Sequence, residues 1–347
     1  MHAMRTTSRE FFIHTVLDSL SASGLDVPDD SRSHVEAGIR HATLFLREAV
    51  LFQNSSILLD NVTWFRRHMK SSSVSVDVGD EMLRQSLHAM KTQISLLLDV
   101  PSIALAQEYL DQAIATLSAA PASTPSHLDD HEFYELQQRC LRNLIDMNPA
   151  EAEQVIRGAR DSGITINDIY KRIIAPIQHE VGRLWEIGQL RVDQEHYCTE
   201  TIRGIIERLL PRRSWFRSGK GAFVVCALGD EVHSMGARMV GDLFSLDGWH
   251  TIYLGGAVPV QSLTDLAGTQ RNLVIGVSVT MPYHLSEARS MIEAIRASGL
   301  DAPIILGGRA IMEYPSAAAS MGADLVASDA EEALEWANAN VRNDPAG

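Results

Sequence analysis

Cysteine is scarce: Cys140, Cys198 and Cys226 are the only three in 347 residues, and no two form a C-x-x-C pair. A disulfide framework and a cysteine-built zinc site are thereby excluded, and burial of apolar surface has to hold the fold. Long hydrophobic runs are missing as well. A membrane span needs about 18 uninterrupted apolar residues, and the opening Met1-His2-Ala3-Met4-Arg5 lacks the apolar stretch of a signal peptide. A soluble, cytoplasmic protein is expected. No segment is basic either. The net charge is -14, and acidic side chains outnumber basic ones in residues 1–120, 121–217 and 218–347 alike. Displacing phosphate counterions requires a cationic face, so direct nucleic-acid binding is not expected. An uncharged or zwitterionic ligand, or a protein partner, suits this surface better. The phosphate loop G-x-x-x-x-G-K-[ST], the G-x-S-x-G elbow, the H-E-x-x-H zinc motif and an opening G-x-G-x-x-G are all absent. Nucleotide hydrolysis, serine hydrolysis and zinc peptidase chemistry therefore lack support.

What is present divides into three segments. Ala119 to Asp130 is rich in proline and small polar residues and reads as a linker; a second break falls near Pro211-Arg212-Arg213-Ser214 and Gly219-Lys220-Gly221. In residues 1–120, Val35, Ile39, Ala42, Leu46 and Ala49 recur at helical spacing, as do Leu83, Leu87, Met90, Ile94 and Leu97, then Ile103, Ala106, Leu110, Ala113 and Leu117. Pro101 suits the first turn of the last of these helices, and Ile57 to Met69 adds another. Residues 131–213 continue helically and suggest a four-helix bundle, with Leu136, Cys140, Leu144 and Met147 on one face and long helices over Ile166–Trp185 and Gln194–Leu210. Residues 218–342 alternate instead. Strands are expected at Ala222–Leu228, Thr251–Leu254, Leu273–Val279, Pro303–Leu306 and Asp324–Ala327, with helices at Ser234–Leu246, Val260–Gly268, Ser286–Ala297, Tyr314–Met321 and Ala330–Val341. Such β-α alternation makes a flavodoxin-like, five-stranded parallel sheet covered on both faces, which binds ligands at the carboxyl ends of its strands.

Those strand ends carry Gly229-Asp230-Glu231-Val232-His233-Ser234-Met235-Gly236, Ser278-Val279-Thr280 and Gly307-Gly308. Glu231-x-His233-x-x-Gly236 is followed by 41 residues to Ser278-x-Thr280 and then by 26 residues to Gly307-Gly308. The pattern resembles the Asp-x-His-x-x-Gly, Ser-x-Leu, Gly-Gly signature of cobalamin-binding domains, which displace the vitamin's own dimethylbenzimidazole and put a protein histidine beneath cobalt. Glu231 stands where many members have Asp, and Thr280 where they have Leu. The resemblance implies His233 as the lower cobalt ligand, Glu231 and Ser278 as its relay, and Gly236, Gly255, Gly256, Gly307, Gly308 and Thr280 around the nucleotide tail. The chemistry is coherent. Neutral imidazole suits cobalt, and a carboxylate on the other ring nitrogen fixes the tautomer and raises ligand basicity.

Upstream, Trp185 precedes the pair Glu195-His196 by nine intervening residues. This resembles the W-x9-E-H motif of the helical cap in adenosylcobalamin-dependent photoreceptors, where the tryptophan and glutamate enclose the adenosyl group. In the repressor members a histidine that captures cobalt after illumination directly follows this tryptophan; here that residue is Glu186. Residues 1–120 lack the basic winged helix of the repressors. Their arrangement is similar to the helical, globin-like sensory domain of photocobilins, which add biliverdin. On that resemblance His34, His41 and His88, with Phe45, Phe52, Trp64, Arg66 and Arg67, are the candidate bilin contacts, arginines meeting propionates and aromatic or histidine rings meeting the macrocycle. No cysteine lies in residues 1–139, so a thioether link there is excluded.

The implied function is light sensing rather than enzymatic catalysis. Photolysis of adenosylcobalamin would change cap packing and self-association, with biliverdin as a second chromophore and a downstream protein as receiver. The alternative is a corrinoid carrier for methyl transfer, which joins the same two modules. A mutase subunit is disfavoured because no catalytic barrel of about 250 residues is present.

Overall fold

Helical spacing of apolar residues accounts for most of the chain. A computed structural model describes residues 6–22, 29–71, 76–119, 124–128, 132–210, 220–228, 233–270 and 272–341. Two compact units result: Met1–Pro125 with Arg183–Arg191, and Ser126–Gly182 with Val192–Gly347.

Unit 1 is all helical among its described residues. It contains α1 (Thr6–Ala22), α2 (Asp29–Leu51), α3 (Ser56–Ser71), α4 (Val76–Gln93) and α5 (Val100–Thr116). The stripes that define these helices face inward: Ile39, Leu46, Leu87, Met90, Leu110 and Ala113 are buried. Each such Leu or Ile contributes about 1.5–3 kcal/mol by leaving water. Pro101 occupies the first turn of α5, where its missing N–H costs nothing. Helices α2 and α3 pack closely enough that a Cβ on Gly38 would stand 2.3 Å from the Phe65 ring.

Unit 2 begins with a helical bundle: α6 (Tyr134–Ile145), α7 (Pro149–Asp161), α8 (Ile166–Asp168), a π turn over Ile169–Ile174, α9 (Ala175–Glu186) and α10 (Val192–Leu209). Thr165 caps α8 by accepting the Asp168 N–H. Cys140, Leu144, Ile156, Ile177, Ile202 and Ile205 are fully buried between these helices. Helix α9 crosses from unit 2 into unit 1 between Gly182 and Arg183, so Trp185 and Glu186 at its end belong to unit 1.

The sheet follows. Strands β1 (Ala222–Ala227), β2 (His250–Tyr253), β3 (Leu273–Ser278), β4 (Ile304–Gly307) and β5 (Leu325–Val326) lie in the order β2-β1-β3-β4-β5, all parallel. This is the flavodoxin-like order, whose switch point falls between β1 and β3. The helices are α11 (Met235–Leu246), α12 (Val260–Ala267), α13 (Leu285–Ala297), α14 (Arg309–Glu313), α15 (Pro315–Ala319) and α16 (Ala330–Asn340). Phe223, Phe244 and Trp249 form the aromatic centre of the core on one sheet face, with the Phe223 and Phe244 rings stacked 3.6 Å apart. Fold class and strand positions agree with the expectation, but one helix does not. Instead of a helix over Tyr314–Met321, α14 and α15 meet at Tyr314, whose φ of -125° and ψ of 64° are not helical. The cause is Pro315, whose ring disfavours the helical conformation in the residue before it.

Candidate functional site

The carboxyl ends of β1 and β3 bring the expected site loops together. At the end of β1, Leu228 N–H donates to the Ser278 carbonyl at the end of β3, and Ala227 N–H donates to the Gly255 carbonyl beyond β2. Glu231, with Gly229, Asp230 and Val232, lies outside the described residues. His233 is exposed. Its main-chain carbonyl accepts the Thr280 hydroxyl at 3.4 Å, and the next carbonyl, of Ser234, accepts the Tyr253 hydroxyl at 3.1 Å. The Thr280 hydroxyl, in place of the family's leucine, therefore ties the two loops directly. Ser278 and Thr280 are half-buried beside it.

The glycines differ in what they do. A Cβ added at Gly236 or Gly255 would meet nothing within 4 Å, so both border open space as a slot for a long ligand requires. Gly256 is half-buried in the turn that follows, and a Cβ on Gly307 would make only an ordinary contact with the Ala327 carbonyl at 3.5 Å. Gly308 is glycine for another reason. Its φ is +104°, and a Cβ there would lie 2.5 Å from the Val279 carbonyl oxygen, so close packing of the chain after β3 and β4 requires it.

The bundle of unit 2 reaches the same place. Gln178 on α9 directs its Nε2 toward Thr199 Oγ1 and Met235 Sδ, both at 3.5 Å, and Met235 is two residues past His233. Thr199 donates to Glu195 Oε1 at 2.9 Å, and Glu195 Oε2 meets His196 Nδ1 at 2.5 Å. The motif pair Glu195-His196 is thus linked to the start of α11 through residues that carried no sequence signal. A second link runs from Tyr170 on the π turn to Asp242 on α11, where the hydroxyl donates at 3.0 Å. Burial pushes the Asp242 carboxyl up and the Tyr170 phenol up. Neither residue stands out in the sequence. The three thiols offer no chemistry here: burial pushes Cys140 and Cys226 up to about 12 and Cys198 up to about 11.

Trp185 has aromatic neighbours within its own unit. Within unit 1 its ring lies 4.8 Å from His68 and 5.9 Å from Trp64, and Trp64 stacks on His68 at 5.3 Å with planes 5° apart. His41 stacks on Trp64 at 6.4 Å, and burial lowers its pKa. Arg67 pairs with Glu186, next to Trp185. Of the other bilin candidates, Arg66 is buried and grips Asp80 with two nitrogens while donating a third bond to the Ala119 carbonyl. Both arginines expected to meet propionates are therefore neutralised by carboxylates of this chain. His88 is exposed, Phe45 is core, Phe52 is half-buried, and the His34 side chain lies outside the described residues. An apolar crevice in unit 1 is lined by Val35, Ile39, Phe65, Met69, Met82 and Met90 among others, with no histidine or arginine in its wall.

The residues present fit a corrinoid: an exposed imidazole at the switch point of a parallel sheet, with open space at Gly236 and Gly255. The comparisons agree. Residues 136–210 match a family model described as B12 binding domain, and residues 221–337 match a second model of the same description. The protein is therefore a cobalamin-binding one, with a helical and a sheet-containing B12 binding domain in succession. Among its relatives, dimethylamine corrinoid protein 1 of Methanosarcina acetivorans is 26% identical over 173 residues, 48% of this chain and 80% of that protein. Methionine synthase of Mycobacterium tuberculosis is 26% identical over 197 residues, 56% of this chain but only 16% of that protein. A solved structure, the monomethylamine corrinoid protein of Methanosarcina barkeri, is 18% identical and covers 60% of this chain and 99% of its own, with a TM-score of 0.49. Among the described residues no helix is long and apolar enough to cross a membrane.

Proposed function

We propose that this chain is a corrinoid-carrying protein that holds cobalamin base-off on His233 and offers the upper face of the metal to an exchangeable group. One observation carries the reading: the exposed His233 opens directly into α11, and the matched helical domain touches that helix at Met235 and Asp242. When bound, cobalamin supplies an alkyl group on cobalt that can be transferred or split off. This chain's residues hold, orient and cover it. Thr280 and Tyr253 fix the main chain at His233 and Ser234, and the proposed roles of Glu231 and Ser278 are to hold the imidazole's other nitrogen and to complete that relay. The relatives named as corrinoid proteins support carriage of a methyl group for a partner methyltransferase, with the chain itself as carrier rather than catalyst.

A second reading, adenosylcobalamin-based light sensing, is favoured by a specific observation. Trp185, the tryptophan of the W-x9-E-H motif, is held by Trp64 and His68 among the N-terminal helices, so any event that moves it is felt by them. That reading brings in a light-dependent change of self-association and a downstream protein. Biliverdin as a second chromophore belongs to this reading, although Arg66 and Arg67, its candidate propionate partners, pair with Asp80 and Glu186.

Absorption spectra and light scattering of the purified adenosylcobalamin complex, before and after green light, separate the two. An altered spectrum with altered mass supports sensing; an identical spectrum and mass leaves carriage. If the holoprotein in darkness retains the vitamin's own benzimidazole on cobalt, both readings fail.

A further inference from the structure

The bundle and the sheet domain of unit 2 meet at one buried carboxylate. Tyr170 sits on the π turn Ile169–Ile174; a π turn takes an extra residue per turn and is frequent at functional sites. Its hydroxyl donates to Asp242 Oδ2 at 3.0 Å, while Arg238, one turn earlier on α11, donates its Nε–H to Asp242 Oδ1 at 3.0 Å. Tyr170 and Asp242 are each 2% exposed. Arg238 in turn lies 5.4 Å over the Tyr253 ring on β2, and Tyr253 holds the Ser234 carbonyl beside His233. The two oxygens of Asp242 are therefore divided, one satisfied by the bundle and one by the helix that starts at the site. Neighbouring Lys171 adds an outer pair with Asp329 at 2.6 Å, but its side chain is half exposed and such pairs contribute little.

We propose that the Tyr170–Asp242 bond is a latch between the bundle and the cobalamin helix, and that its strength sets how readily a ligand or partner reaches the upper face of bound cobalamin. The inference rests on the cobalamin-carrying reading above. Its physical basis is an asymmetry. Without the phenol hydroxyl, the docked arrangement retains a desolvated carboxylate oxygen with no donor from the bundle, whereas the undocked arrangement lets water reach it. The loss thus falls on docking and leaves the sheet's own contacts intact.

The full-length protein loaded with aquocobalamin tests this. Replacement of the cobalt-bound water by azide is followed by absorbance, and hydrogen exchange by mass spectrometry follows residues 166–182 and 192–209. Tyr170→Phe is expected to speed azide entry about tenfold, the scale of one hydrogen bond to a charged group. It should also raise exchange in those bundle segments while Ala222–Ala227 and Leu273–Ser278 stay protected. Asp242→Asn, which turns an amide N–H toward one of the two donors, is expected to act in the same direction. Lys171→Ala should stay within about twofold of wild type. Azide entry within about twofold of wild type in both Tyr170→Phe and Asp242→Asn overturns the latch. Equal loss of protection across the strands also overturns it, because that marks a merely structural contact. Wild-type protein that fails to retain aquocobalamin overturns the cobalamin reading instead.

Discussion

His233 illustrates how much of this site rests on single residues held by main-chain bonds. Its side chain is exposed, so its removal should leave the fold intact while abolishing a nitrogen ligand to cobalt. In His233→Ala, paramagnetic resonance of the cobalt(II) holoprotein is expected to lose nitrogen coupling from below, and cobalamin should wash out faster on gel filtration, with the melting midpoint of the apo protein unchanged. Persistent nitrogen coupling would remove His233 from that role. Gly308 is the opposite case, a residue whose role is conformational. A side chain there combines a φ of +104° with a contact of 2.5 Å to the Val279 carbonyl, and backbone strain of this kind costs about 1–3 kcal/mol. Gly308→Ala should lower the denaturant midpoint accordingly; an unchanged midpoint would mean that the β3 and β4 loops yield without cost.

At the scale of elements, helix contacts depend on small residues at crossing points. Gly38 on α2 faces the Phe65 ring of α3 at a separation no Cβ tolerates. Gly38→Ala is expected to destabilise unit 1 by about 1–3 kcal/mol through overpacking, and Phe65→Leu in the same chain should recover part of the loss. Additive effects of the two substitutions in a double-mutant cycle would contradict the contact. The elements of unit 2 are joined by two aspartates with opposite acid behaviour. Burial raises the Asp242 carboxyl above its ordinary 3.8. Its contribution is therefore full below that value and is lost as pH rises through the higher folded pKa. The Lys171 hydrogen bond, and then the Glu332 N–H, lower Asp329 below 3.8. Its contribution is present above 3.8 and is lost as pH falls through the lower folded pKa. In melts across acid pH, Asp242→Asn should steepen the loss of stability toward low pH and Asp329→Asn should flatten it. Matching slopes in the two variants would refute this assignment. The helices themselves were legible because apolar residues repeat at three and four in α2, α4 and α5. The break at Tyr314 runs against the helix expected over Tyr314–Met321, although Pro315 carries its cause, and the π turn left no trace in the periodicity because Ile169, Tyr170, Ile173 and Ile174 are all buried around it.

For the whole molecule, ligand binding and the division into units make separable expectations. A ligand bound only by the folded state stabilises it by about 2.7 kcal/mol at a concentration a hundredfold above its dissociation constant. Cobalamin should accordingly raise hydrogen-exchange protection of β1, β3 and α11, an effect missing in His233→Ala; equal protection in the two proteins would count against the site.

The amino-acid sequence alone determined the β-α alternation, the parallel sheet and the loops that bear His233, Ser278 and Gly307-Gly308, because strand and helix periods and glycine spacing are local properties written in order along the chain. Only the tertiary structure decided what meets what. Trp185 lies against Trp64 and His68, Arg66 and Arg67 pair with Asp80 and Glu186, and Tyr170 finds Asp242 across 72 residues. Such pairings are set by which buried polar group can reach a partner once the helices have packed, and no one-dimensional spacing encodes that distance.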